Sequence, residues 1–176
     1  MIVWNALQPH SPEEKLFAPI LNSNNSYLSP CYFKYHRGKI SKNVTIGLNN
    51  FKNKSLLNSG LLIDVNTFLE LGGYNEKIKL DFSDFYFITK FQKKHKTFIL
   101  TKAKCEHNLS YTELDLEKQL IRFKFYFEGA LEYGKSFNKL LQILILIILR
   151  TLLLSIRHKT FRYFLILKNY GLHKIK

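Results

Sequence analysis

The sequence predicts an α/β chain, a sheet-forming region followed by a helical tail. Three observations lead there. Short apolar or aromatic runs bounded by polar loops recur through the first two thirds of the chain. The segment from Asp64 to Gly73 carries a helix start signal at one end and a stop signal at the other. From Leu114 onward, apolar and charged residues mix over stretches too long for strands.

The elements follow in order. Leu16–Leu21 reads as a short buried strand, and Asn22–Ser26 as a loop by its Asn and Ser content. Tyr32–His36 and Val44–Leu48 are strands by β-branched and aromatic content. Leu56–Asp64 reads as a buried strand kinked at Ser59-Gly60. Asp64 is placed to cap a short helix, Val65–Leu71, because a carboxylate accepts from the unpaired N–H groups of a first turn. Gly72-Gly73 ends that helix, since glycine takes the left-handed conformation cheaply. A loop with Asp81 and Asp84 then leads to a helix over Phe85–Lys94. Thr97–Leu100 and Cys105–Leu109 are further strands. In the tail, Gly134 is expected to break one helix, and a second runs from about Lys139 to Ile156.

Composition bounds the function. The chain has 176 residues, enough for one sizeable core, and its 46% hydrophobic and 15% aromatic content excludes disorder. The formal net charge is +14, and none of the 13 acidic residues lies beyond Glu132. Past that point basic residues from Lys135 to Lys176 are mixed with Leu and Ile, a pattern that suits an anionic membrane surface better than nucleic acid. No nucleic-acid partner is expected. The run Ile143–Leu149 is shorter than the roughly 20 apolar residues a spanning helix needs and Arg150 interrupts it, so a helix lying on a membrane or on the domain is expected, with a spanning helix as the alternative. The two cysteines, Cys31 and Cys105, make no CxxC pair and fit a reducing compartment. The first residues show no basic segment before an apolar run, so no signal peptide is read there. These features together predict a cytoplasmic protein peripheral to the inner face of the cell membrane.

The stretch from Ser59 to His107 carries a resemblance. Ser59-Gly60-Leu61-Leu62-Ile63, then Gly72-Gly73-Tyr74-Asn75-Glu76, then Asp81-Phe82-Ser83-Asp84, then Cys105-Glu106-His107 follow one another in order. This resembles the C-terminal half of family 2, rhamnosyltransferase-like glycosyltransferases, in segment order and spacing. Leu16–Pro30, with its Ala-Pro-Ile strand and Ser29-Pro30 pair, is similar to the upstream family segment more loosely. The resemblance implies the C-terminal part of a GT-A-like nucleotide-diphospho-sugar transferase domain with a mixed sheet. It divides the chain into residues 1–112, the acceptor-side half of that domain, and 113–176, a helical, basic, membrane-proximal tail.

The same resemblance implies roles. Asp84 stands where the family has its catalytic base, which takes the acceptor hydroxyl's proton as the new bond forms. Asp81 would orient Asp84 or the acceptor. Ser59 and Gly60 would approach the donor sugar, and His107 would ligate the metal or touch phosphate. A hard cation, Mg²⁺ or Mn²⁺, would offset charge on the leaving diphosphate. Each residue also has a plainer reading: Asp84 as a helix cap, Asp81 as a solvated loop carboxylate, Ser59-Gly60 as a bulge, and His107 as a structural histidine. The chain departs from the family pattern at Tyr86, where an acid is common, at Lys90, where an Arg is common, and at His95, where a glycine is common.

The family's nucleotide-binding half ends in an Asp-x-Asp motif, and no acidic pair in that setting precedes Glu13-Glu14. The expectation is therefore a truncated glycosyltransferase-like chain, inactive alone. Complemented by an N-terminal half, it would move a sugar from a nucleotide sugar to a cell-surface polysaccharide or lipid-linked acceptor. The missing strands would leave a bare sheet edge, which predicts self-association. The alternative is a non-catalytic peripheral membrane or interaction module derived from the same fold.

Overall fold

The computed structural model describes residues 14–22, 45–52, 55–106 and 115–171. Within them the chain is α/β with a mixed four-stranded sheet. It divides into two compact units. One comprises Met1–Asn75 and Asp84–Leu109, and the other Glu76–Ser83 and Ser110–Lys176. The boundary inside the aspartate loop therefore falls between Ser83 and Asp84.

The first unit holds the sheet. Its strands are β1 (Leu16–Asn22), β2 (Gly47–Asn50), β3 (Leu62–Ile63) and β4 (Thr97–Glu106), in the order β2-β4-β1-β3. β1 runs parallel to β4 and antiparallel to β3, while β2 and β4 are antiparallel. β4 was expected as two strands and is one. Its pairing with β1 jumps from Ala18↔Leu100 to Ile20↔Lys104, so β4 carries extra residues opposite Pro19. Proline has no N–H to give the ladder, which favours an irregularity there. Within that gap the Thr101 hydroxyl donates to the Ala18 carbonyl at 3.2 Å.

Two helices belong to this unit. The short α1 (Val65–Glu70) begins where expected, with Asp64 accepting from the Thr67 N–H at 2.9 Å and the Thr67 hydroxyl at 2.7 Å. It ends on Gly72 and Gly73, whose φ angles are +73° and +59°. Their N–H groups donate to the Leu69 and Phe68 carbonyls. α2 (Ser83–Lys94) is amphipathic and turns Phe87, Ile88 and Phe91 into a core with Leu16, Ala18, Phe51, Phe98 and Leu100. Much of that core is aromatic, with Phe51 and Phe98 centroids 4.8 Å apart.

The second unit is helical: α3 (Leu116–Ser136), α4 (Leu140–His158) and α5 (Arg162–Ile166), closed by a π turn over Leu167–Gly171. Asp115 caps α3 by accepting from the Glu117 and Lys118 N–H groups. Gly134 does not break α3, which continues to Ser136. It sits where α4 comes closest: a Cβ there would lie 3.1–3.2 Å from Ile143 and Leu140. The glycine serves the packing of two helices, and the turn follows at Asn138, with φ +55°.

The loop Glu76–Ser83 is fastened to α3. A Cβ on Gly129 would lie 2.3 Å from the Asp81 carbonyl oxygen, so only glycine admits the loop at that height. Phe82 adopts φ +75°, a strained backbone for a bulky residue, and its ring is buried between Tyr126 and Tyr133 at 5.3 and 5.6 Å.

Candidate functional site

The candidate site lies in the sheet unit and centres on Tyr74. The glycine stop of α1 sets its backbone, and its ring packs on Phe68 at 5.4 Å and Phe87 at 5.3 Å. The residue as a whole remains 38% exposed. Two other side chains act on its phenol, Asn58 just before the Ser59-Gly60 pair and Asp84 of the aspartate segment. Asn58 hydrogen-bonds to it through its side chain, and the Asp84 carboxylate is near enough to act on it electrostatically. Burial first, then the Asp84 charge, pushes the Tyr74 pKa above its usual range, and the Asn58 bond opposes them. The phenol is therefore a neutral O–H group at pH 7.

The kink expected at Ser59-Gly60 is a full turn over Asn58–Gly60, so the strand expected over Leu56–Asp64 is cut back. The Leu61 N–H donates to the Asn58 carbonyl, and Gly60 takes φ +70°, which a β-strand residue cannot adopt. Only Leu62–Ile63 pairs as β3. The turn brings Asn58, one residue before the Ser59-Gly60 pair, to Tyr74. Asp84 lies in the first turn of α2, one residue inside the helix expected to begin at Phe85. Its Oδ1 accepts from the Phe85 N–H at 2.8 Å. A carboxylate is favoured there by the helix dipole.

Asp81 is in the other unit. Its carboxylate is 13% exposed and pairs with Arg122 of α3 at 3.5 Å. That pair and the Gly129 contact give Asp81 a part in holding the loop to α3. His107, Ser29-Pro30, Tyr32–His36 and Cys31 lie outside the described residues. Among the described residues no group of three or more His, Cys, Asp and Glu is gathered to hold a metal. They supply no complete ligand set for Mg²⁺ or Mn²⁺, and no step proposed below runs through one.

Two of the departures from the family pattern meet each other. Lys90 Nζ stands over the Tyr86 ring, 5.7 Å from its centroid, one helical turn apart on α2. The third, His95, packs its ring at a tilt against Phe91, 4.7 Å between centroids, and donates its backbone N–H to the Phe91 carbonyl, closing the helix. Tyr74 and Asn58 were not singled out from sequence. The only signal was the position of Tyr74 inside the Gly-Gly-Tyr-Asn-Glu segment, because the contact spans residues distant in sequence. The chain matches no family model, no curated protein and no solved structure.

Proposed function

We propose that the chain is a glycosyltransferase-like protein with the acceptor-side part of a GT-A-like domain. It is related to enzymes that move a sugar from a nucleotide sugar to a cell-surface polysaccharide or lipid-linked acceptor. The observation that carries this reading is the convergence on Tyr74: the turn beside Ser59-Gly60, the residue after Gly72-Gly73, and Asp84 at the head of α2 share one small region. In this reading Asp84 receives the acceptor hydroxyl's proton. The neutral Tyr74 O–H and the Asn58 amide hold polar groups of the sugar, and Ser59-Gly60 lets it approach the backbone.

The test is made in the cells that produce the protein, with the Asp84 codon changed to Asn. Transfer from labelled nucleotide sugars to lipid and polysaccharide fractions is followed in membranes. Loss of a general base lowers rate by roughly 10²–10⁴-fold, and transfer at the unaltered rate would remove the proposal. Sensitivity to EDTA, reversed by Mg²⁺ or Mn²⁺, tests the cation separately.

The second reading, a non-catalytic peripheral membrane module, is favoured by the outward apolar side chains of α4. It requires that membrane association persist in Asp84→Asn and His107→Ala variants while transfer in those cells is unchanged.

A further inference from the structure

Among the described residues, those of the helical unit leave one side of α4 exposed. Leu141, Ile145, Ile148, Leu152 and Ile156 are 43–75% exposed and recur every three or four residues, so they form one stripe along the helix. The opposite side is committed to the unit's own core through Ile143, Leu146, Ile147 and Thr151. Phe161, Phe164 and Leu165 extend the exposed apolar surface past the end of α4, Phe161 being 82% exposed.

α4 is long and apolar enough to cross a membrane by length and composition. Its packing argues otherwise. Arg150, in the middle of the helix, lays its guanidinium over the Tyr126 ring of α3 at 4.1 Å. α3 carries Glu117, Lys118, Arg122, Lys124, Glu128, Glu132 and Lys135, and a helix so charged does not enter hydrocarbon beside α4.

Charge identifies the occupant of the stripe. Beyond Glu132 the chain has no acidic side chain. Arg157 and Lys159, at the C-terminal end of α4, and Lys168, in the π turn that follows α5, are exposed. Arg150 and Arg157, with Arg162, which is itself paired with Glu117 of α3, pull the pKa of the buried Tyr163 phenol down against the larger upward push of burial. A second copy of this surface would meet like charge with like charge. An anionic bilayer offers acyl chains to the stripe and phosphate to the cations.

We propose that the outward stripe of α4, with Phe161, Phe164 and Leu165, seats the protein in the plane of an anionic lipid surface, with the basic end of α4 against the headgroups. This does not rest on the glycosyltransferase reading, and its failure would leave Asp84 untouched.

The full chain is mixed with vesicles of phosphatidylcholine alone or with phosphatidylglycerol, and bound protein is separated by flotation. Binding to the anionic vesicles only, weakened by salt, is expected. Replacing Arg157, Lys159 and Lys168 by Gln should weaken it roughly fivefold per charge. Ile148→Ser with Leu152→Ser and Phe161→Ser should abolish it, with helix content by circular dichroism unchanged in both variants. In cell membranes, alkaline carbonate should release the protein. Four results would each overturn the proposal: no binding to anionic vesicles, equal binding to neutral ones, retention through carbonate, or vesicle binding unchanged by the serine variant. A dimer that this variant dissolves, with vesicle binding intact, would assign the face to a second copy instead.

Discussion

α2 and α4 are each the main apolar helix of their unit, and they treat their outer faces differently. α2 buries Phe85, Phe87, Ile88 and Phe91, and fills its remaining turns with Thr89, Gln92, Lys93 and Lys94. α4 buries Ile143, Leu146, Ile147 and Thr151, yet the positions between them are again Leu and Ile, with Arg150 the one exception. A helix that needs one partner is written with one apolar stripe. α2 is such a helix. α4 carries more apolar surface than its own unit covers, and that excess distinguishes folding from docking within a single chain.

The comparison breaks most visibly if the two cores are emptied. Phe87 is fully buried and touches Phe68, Tyr74 and Phe91 through its ring. Phe87→Ala should cost about 3–5 kcal/mol by the usual sum of lost burial and cavity. It should also loosen Tyr74, the centre of the candidate site. A urea denaturation midpoint within error of wild type would mean that the ring cluster does not hold the sheet unit. Next in size is Gly129→Ala in the helical unit. A methyl group there collides with the Asp81 carbonyl. The loop must lift from α3, at about 1–3 kcal/mol. Arg122→Ala in the same protein should then cost little more, because the Asp81 pair is already broken. Additive losses in that double mutant would count against the fastening.

How much of this was legible in the sequence depends on range. Asp64 as a cap, Gly72-Gly73 as a stop and the start of β1 are local matters, settled within a few residues, and each is found where expected. The misreadings arise from partners remote in sequence. Gly134 looked like a break because the proximity of Ile143 is not written beside it. β4 looked divided because its continuity depends on an irregularity opposite Pro19 in β1. In the candidate site, Asp84 and Ser59-Gly60 are marked by the family-like order of segments along the chain, whereas the pairing of Tyr74 with Asn58 depends on the turn at residues 58–60.

The Asp64 cap offers a smaller and cleaner test. Its carboxyl is held below the usual carboxylate range, chiefly by the Thr67 hydroxyl, then by the Thr67 N–H, with Lys15 adding at 3.6 Å. A lowered folded pKa means that its stabilisation is fully present above the ordinary value and is lost as pH falls through the lowered one. Asp64→Ala should cost about 1 kcal/mol at neutral pH. Asp64→Asn keeps a capping oxygen without titrating, so its stability relative to wild type should improve as the solution is acidified below the carboxylate range. A constant difference between the two across that window would mean the cap does not titrate with folding.

The smallest expected effect is the most informative about α4. Ile147 and Ile148 are adjacent and chemically identical, but one is 2% exposed and the other 52%. Ile147→Ser removes a core side chain and buries a hydroxyl, so it should cost several kcal/mol, roughly the range of core truncations. Ile148→Ser should change the denaturation midpoint by no more than about 0.5 kcal/mol, the usual limit for exposed sites. If Ile148→Ser proved as damaging as its neighbour, the outward stripe would be covered within the folded protein, and the docking surface would be gone. If it is silent in stability while removing vesicle binding, its isoleucine is kept for a surface outside the chain.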